Sequence, residues 1–88
     1  MNTSRGPVVD QVALTAALAQ GRIFPAGLDV AAIEPIPPDE PLLRLLNCIV
    51  LPHIGSASLA TRSAMVELAV DNILASLAGD RLPRCANP

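Results

Sequence analysis

The sequence predicts an α/β fold, with part of a doubly wound parallel sheet followed by one long helix. Two short apolar runs, residues 26–30 and 48–51, have proline close by, as the ends of buried strands often do. They alternate with segments that have helical spacing, and this alternation favours βα units with parallel strands. Two strands and two helices make only a fraction of a doubly wound sheet, so we do not expect a closed domain.

The first predicted helix covers residues 11–20. Asp10, just before it, is a good N-cap residue, and Gly21, just after it, suits the left-handed position that ends many helices. Leu14 and Leu18 lie one turn apart on one face, and four alanines raise the helix propensity of the segment. A short helix that packs closely on a sheet is the expected result.

The region between the two strands is rich in proline. Residues 31–41 hold four of the nine prolines, a composition that excludes both a helix interior and a central strand. We therefore expect a loop there, then a single helical turn over residues 42–46. The second strand, residues 48–51, ends before Pro52.

The longest predicted element is a helix over residues 58–78, which lacks proline and glycine and stops at Gly79. It carries two adjoining apolar stripes, and so short a chain offers little to cover them, so we expect the helix to need a partner surface. The stripes are Val66, Val70, Ile73 and Leu77, and Met65, Leu68 and Ala69. We divide the chain into a partial sheet domain at residues 1–57, the helix at 58–79 and an exposed tail at 80–88.

Composition excludes several classes of function. Hydrophobic residues make up 51% of the chain, but no unbroken apolar run approaches the roughly 20 residues of a membrane-spanning helix. The net charge is −2 and the six arginines are scattered, so no basic patch for nucleic acid is expected. Cys48 and Cys85 lack the spacing of a zinc site, so we expect no metal. The first residues contain no apolar leader, which favours a cytoplasmic location.

Three polar residues follow strand-like segments: Arg5, Glu34 and His53. Ligands of open α/β sheets bind outside the carboxyl ends of the strands, so a site is expected at these positions. Histidine can act as an acid near neutrality, a carboxylate can orient it, and a guanidinium can clamp a substrate carboxylate. Taken singly, each could also be a solvated or capping residue. Asp29 ends an apolar strand, where it needs a partner or caps the next turn.

Four stretches in order resemble the D-isomer-specific 2-hydroxyacid dehydrogenases, and they span nearly the whole chain. They are Asn2-Thr3-Ser4-Arg5-Gly6, Val8-Val9-Asp10, Gly27-Leu28-Asp29-Val30 with Glu34-Pro35, and Leu51-Pro52-His53-Ile54-Gly55-Ser56-Ala57. An ordered series of motifs is far more specific than a single glycine fingerprint. The Pro-Leu-Leu and Asn47-Cys48 stretches resemble the glyoxylate/hydroxypyruvate reductase branch most closely.

The resemblance implies the C-terminal part of a Rossmann-like dinucleotide-binding domain, with NADP or NAD as cofactor and a small 2-oxo or 2-hydroxy acid as substrate. Arg5, Glu34 and His53 would be catalytic, with His53 as the acid, Glu34 as its partner and Arg5 as the carboxylate clamp. Substrate contacts are implied for Arg5, Asp29, His53, Ile54, Gly55 and Ser56. Cofactor contacts are implied for Thr3, Ser4, Arg5, Asp29, His53 and Gly55.

These 88 residues contain no Gly-x-Gly-x-x-Gly, so the phosphate-binding loop of the family is absent from them. We therefore expect a fragment of the enzyme whose isolated form is inactive, with a homodimer as the family's full-length state. The alternative is a truncated, non-catalytic product that docks onto a partner subunit or is unstable alone. Titration with nicotinamide cofactor distinguishes the two hypotheses.

Overall fold

The computed structural model describes residues 1–87, and the chain divides into two compact units. The first is Met1–Gly55 and the second begins at Ser56. The division predicted from the sequence, after residue 57 and with helix and tail apart, stays a prediction. No helix within residues 1–87 has the length and apolar character needed to cross a membrane.

The first unit contains a two-stranded parallel sheet, with β1 at Ala26–Leu28 and β2 at Cys48–Val50. Ala26 is in register with Cys48, and Leu28 is in register with Val50. On its other edge β1 meets Asn2 in an isolated parallel bridge. β1 is thus flanked on both sides, and the predicted parallel arrangement is confirmed.

Both strands end earlier than the sequence predicts, by two residues for β1 and one for β2. The last bond between the strands runs from the Leu51 N–H to the Leu28 carbonyl, at 2.8 Å. Along this strand the next N–H that would face β1 belongs to His53. The φ of His53 is 56°, in the left-handed region, and a residue with this backbone conformation cannot continue a strand. Pairing therefore stops, and Asp29 and Val30 leave the sheet although both are buried.

Helix α1 spans Gln11–Ala19, so it begins where the sequence predicts and ends one residue before the predicted end at Gln20. The Asp10 carboxylate accepts the Ala13 N–H, which satisfies one of the unpaired donors at the helix start. Gly21 has φ of 64°, and the N–H groups of Gly21 and Arg22 close the last turn on Leu18 and Ala17. Two 3-10 helices complete the unit: Gly6–Val8, which was not predicted, and Pro41–Arg44, which stands where one helical turn was expected at residues 42–46.

The core of the first unit is small. Leu18, Leu28 and Leu42 are buried and in mutual contact, and they join α1, β1 and the second 3-10 helix. Partly buried side chains surround them, namely Leu14, Ala26, Leu45, Cys48 and Val50. Burial raises the pKa of the Cys48 thiol, as expected of a core cysteine.

The second unit begins at Ser56 and contains α2, Leu59–Ala78. Ser58 caps its start by accepting the Thr61 N–H, and Gly79, with φ of 76°, ends it. No residue of α2 is buried, as expected from two apolar stripes on a short chain. Two hydrogen bonds connect the tail to the helix. The Asn72 carboxamide donates to the Arg84 carbonyl and accepts the Arg84 N–H, both at 3.1 Å.

Candidate active site

A histidine and a carboxylate meet beyond the carboxyl ends of the two strands. His53 Nδ1 lies 2.8 Å from Glu34 Oε2, and the other oxygen of Glu34 accepts the Ala31 N–H at 2.9 Å. The bond from His53 holds the pKa of Glu34 below its usual value, and the Ala31 N–H and the charges of His53 and Arg5 act in the same direction against partial desolvation. Glu34 is therefore an anchored carboxylate that orients the imidazole.

The backbone of His53 has a conformation that few residues other than glycine adopt. Its φ of 56° is uncommon for a side chain with a Cβ, and such conformations persist where the surroundings enforce them. The two residues that follow are fixed by Asp29, whose Oδ1 accepts the Ile54 N–H and whose Oδ2 accepts the Gly55 N–H, both at 2.8 Å. The histidine is thus held at its side chain and at its backbone.

The segment that carries Arg5 is shaped by Asn2. The Asn2 carboxamide donates to the Arg5 carbonyl at 3.0 Å and accepts the Ser4 N–H at 3.1 Å. Asn2 is buried, whereas Thr3, Ser4 and Arg5 are exposed. The Arg5 guanidinium donates to the neighbouring Ser4 carbonyl at 2.7 Å and makes no hydrogen bond to Glu34 or His53 within residues 1–87. The arginine therefore reaches Glu34 only through its charge.

An open pocket of about 500 Å³ lies beside the pair. Glu34 and His53 supply its polar side, and its other walls are mostly apolar. Those walls come from the loop after β1 and from the end of β2: Ala31, Pro35, Ile36, Val50, Leu51 and Pro52. A small polar molecule entering this pocket meets the imidazole of His53 beside walls that are mostly apolar.

The structure brings five of the sequence-predicted residues together: Asp29, Glu34, His53, Ile54 and Gly55. Thr3, Ser4 and Arg5 lie on the exposed turn after Asn2, and Ser56 begins the second unit. The individual roles assigned to these residues stay predictions. Within residues 1–87, no group of three His, Cys, Asp or Glu residues could hold a metal ion.

Sequence reasoning missed two residues that shape this site. Asn2 is one, and an asparagine followed by small polar residues is a typical signal of a side chain that closes its own turn. Gln11 is the other, since its side-chain oxygen accepts the Ala32 N–H at 2.9 Å and fixes the loop next to Ala31. The Gln11 contact joins residues 21 positions apart, so no local signal could have revealed it.

Comparison with known proteins gives close relatives. Residues 1–55 match the profile of the D-isomer specific 2-hydroxyacid dehydrogenase, NAD binding domain. Over its whole length the chain is 53% identical to glyoxylate/hydroxypyruvate reductase B of Yersinia enterocolitica, of which it covers 27%. Over 94% of its length it is 55% identical to glyoxylate reductase/hydroxypyruvate reductase of Mus musculus, of which it covers 25%. The chain spans about a quarter of the length of the curated relatives it matches.

Solved structures agree with this likeness. An NADPH-dependent glyoxylate/hydroxypyruvate reductase of Sinorhizobium meliloti, in complex with citrate, matches 97% of the chain at 48% identity with a TM-score of 0.84, and the chain covers 27% of it. A protein of Thermus thermophilus matches 94% at 52% identity with a TM-score of 0.82, and 26% of it is covered. The predicted fold class, part of a Rossmann-like doubly wound parallel sheet followed by a long helix, is confirmed. The chain belongs to the D-isomer specific 2-hydroxyacid dehydrogenase family.

Proposed function

We propose that this chain carries the proton-donating part of a nicotinamide-dependent reductase that converts glyoxylate or hydroxypyruvate to the corresponding 2-hydroxy acid. The observation that carries the proposal is the Glu34–His53 pair, with 2.8 Å between Oε2 and Nδ1, beyond the carboxyl ends of two parallel strands. The names of the relatives from Yersinia enterocolitica and Mus musculus support the choice of substrate.

His53 supplies the proton in this proposal. Because Nδ1 faces the carboxylate of Glu34, Nε2 is the nitrogen that is left for the substrate. Nδ1–H is held by Glu34, and Nε2–H of the protonated ring donates to the keto oxygen of the 2-oxo acid. Proton transfer leaves a neutral imidazole and a hydroxyl group, while the reduced nicotinamide, when bound, supplies the hydride that adds to the carbonyl carbon.

Arg5 holds the carboxylate of the substrate. It is exposed on the turn that Asn2 closes, and its guanidinium uses one nitrogen, Nη1, on the Ser4 carbonyl. The remaining N–H groups can bind a carboxylate through two parallel bonds. Its positive charge already acts on Glu34, which supports a location close enough to serve the same ligand.

The residues on this edge of the sheet fit the nicotinamide end of a dinucleotide. Thr3 and Ser4 are exposed, and within residues 1–87 their hydroxyl groups make no hydrogen bond. Gly55 offers backbone without a side chain. We assign NADPH as the cofactor, since a relative of known structure is NADPH-dependent, although these 88 residues hold no Gly-x-Gly-x-x-Gly for its phosphates.

A homodimer in the cytoplasm, with no membrane or nucleic-acid partner, remains part of the proposal.

The test is a chimaera in which this chain replaces the matching quarter of the Yersinia enterocolitica reductase. We expect the chimaera to oxidise NADPH when glyoxylate or hydroxypyruvate is added, at a rate measured by the loss of NADPH absorbance. A chimaera that folds and binds NADPH but reduces neither acid would contradict the proposal. The parent reductase, produced in the same way, is the control.

A second candidate function follows from α2. Large apolar side chains along this helix are exposed, including Val66 at 63% and Leu77 at 81%, which favours a chain that works by docking onto a partner subunit. Titration of the 88-residue chain with NADPH separates the two candidates. Binding at micromolar concentration supports the reductase proposal, and no binding at millimolar concentration leaves docking as the function of the isolated chain.

A further inference from the structure

A buried carboxylate directly follows β1. Asp29 is 6% exposed, and it is one of two buried polar residues, with Asn2, in the described part of the chain. An ionised carboxylate that leaves water costs free energy unless hydrogen bonds replace its hydration. The Ile54 and Gly55 N–H groups provide these bonds, one to each oxygen at 2.8 Å. Asp29 is therefore committed to the segment that follows His53.

The geometry of this contact restricts His53. Two consecutive N–H groups that point at one carboxylate fix the backbone of residues 54 and 55, and charge-assisted bonds of this length are among the stronger ones in proteins. His53 connects that fixed segment to β2, and it does so with φ of 56°. Its ring then lies within 2.8 Å of Glu34, a residue 19 positions away. Loss of the Asp29 contact would let the backbone of His53 relax out of the left-handed region.

Gly55 shows how closely the carboxylate is packed. A Cβ at this position would lie 2.8 Å from Asp29 Oδ2 and 3.6 Å from its Cγ. The first distance is shorter than real Cβ contacts, so a side chain at residue 55 would displace the carboxylate. The absence of a side chain at Gly55 is thus a condition of the Asp29 contact.

We propose that Asp29 is a positioning residue, which holds the imidazole of His53 against Glu34 by binding the backbone N–H groups of Ile54 and Gly55. This role differs from the substrate and cofactor contacts that the family resemblance implies for Asp29. Its consequence for catalysis rests on the proposed function, whereas the positioning itself is a property of the chain that is measurable without substrate.

The test measures the pKa of Glu34 by NMR, from the side-chain carboxyl carbon resonance as a function of pH. In the parent chain the bond from His53 lowers this pKa. Asp29→Asn keeps the shape of the side chain but turns an NH2 group toward one of the two N–H donors, so the segment loses a bond. We expect the pKa of Glu34 to rise toward its usual value. Removal of a negative charge by itself acts in the opposite direction, because it favours ionised Glu34.

Two further variants complete the design. Asp10→Asn makes the same change of charge at the cap of α1, and we expect the pKa of Glu34 to stay as in the parent. Gly55→Ala displaces the Asp29 carboxylate without any change of charge, and it should raise the pKa of Glu34 as Asp29→Asn does. Amide resonances of Gly27 and Ile49, which pair in the sheet, report that the variants remain folded.

A rise in both Asp29→Asn and Gly55→Ala, with the sheet resonances in place, supports the positioning role. An unchanged or lowered pKa of Glu34 in Gly55→Ala overturns it, and this variant also decides if Asp29→Asn gives no rise, because it carries no change of charge that could offset one. If Asp29→Asn does not fold, Gly55→Ala decides alone, since a rise supports the role and an unchanged value overturns it. None of these outcomes depends on turnover, so failure of the proposed function would be seen separately in the chimaera.

Discussion

Gly6→Ala tests the link between the fold and the candidate site. A Cβ at residue 6 would lie 1.8 Å from the carbonyl oxygen of Ala31 and 2.2 Å from its carbonyl carbon. To lengthen the first of these distances from 1.8 Å to 3.0 Å, the shortest contact that a real Cβ makes, the backbone must already move by 1.2 Å. Ala31 donates its N–H to Glu34 and Ala32 donates to Gln11, so this movement reaches the partner of His53.

The expected loss of folding stability depends on which atoms the added Cβ would meet. Overpacking against side chains costs typically 1–3 kcal/mol, and because the obstacle at Gly6 is backbone we expect a loss of at least about 3 kcal/mol. Gly6 lies in the first unit, Met1–Gly55, and at about 0.05–0.15 kcal/mol per residue a unit of this length has a free energy of unfolding of about 3–8 kcal/mol. With a urea m-value of about 1 kcal/mol/M, the midpoint should fall by about 3 M, or the variant should be unfolded in water.

Urea unfolding followed by far-ultraviolet circular dichroism measures this loss. Gly27→Ala is the matched control, since the nearest atom to its added Cβ is the Met1 Cγ at 4.0 Å, an ordinary contact. We expect its midpoint to be unchanged or slightly raised, because alanine restricts the unfolded chain. Equal midpoints for Gly6→Ala and Gly27→Ala would refute the reasoning, since they would mean that the loop at Ala31 yields to a side chain without cost.

Two other predictions concern charge. In the chimaera, Arg5→Ala should raise the KM for glyoxylate far more than it lowers kcat, because the clamp acts on the bound carboxylate; a normal KM would remove Arg5 from that role. The folded state lowers the pKa of Glu34 from its ordinary value of 4.5, so ionised Glu34 stabilises the fold above that pH, and this contribution is lost as the pH falls through the lower, folded-state value. Urea midpoints measured from neutral pH to below pH 4.5 should therefore fall less steeply in Glu34→Gln than in the parent, and parallel curves would contradict the assigned cause.

Much of the fold could be predicted because its signals are local. Asp10 and Gly21 mark the ends of α1, and Ser58 and Gly79 mark those of α2, each through contacts within a few residues. The ends of the strands could not be predicted in the same way. Pairing with β1 stops before His53, whose backbone is left-handed, and the two residues after it bond to Asp29, which lies 25 and 26 positions earlier in the chain.

The candidate site shows the same contrast. Glu34 and His53 could be proposed because each follows a strand, and parallel strands bring their carboxyl ends to one edge of a sheet. The sequence indicated a partner or a cap of the next turn for Asp29, but it could not indicate the actual partners, the Ile54 and Gly55 N–H groups, which lie 25 and 26 residues away. The Asn2 contacts also escaped prediction, although they span only a few residues, because the burial of its carboxamide depends on the pairing of Asn2 with β1.

The most direct test of the central claim is the kcat of His53→Ala in the chimaera, with glyoxylate as substrate and Asp10→Asn as the control variant. Loss of the general acid should lower kcat by at least about a hundredfold, with the Kd for NADPH nearly unchanged, while Asp10→Asn retains the parent rate. If His53→Ala folds and turns over at the rate of the control, His53 is not the proton donor, and the proposed function loses the observation that carries it.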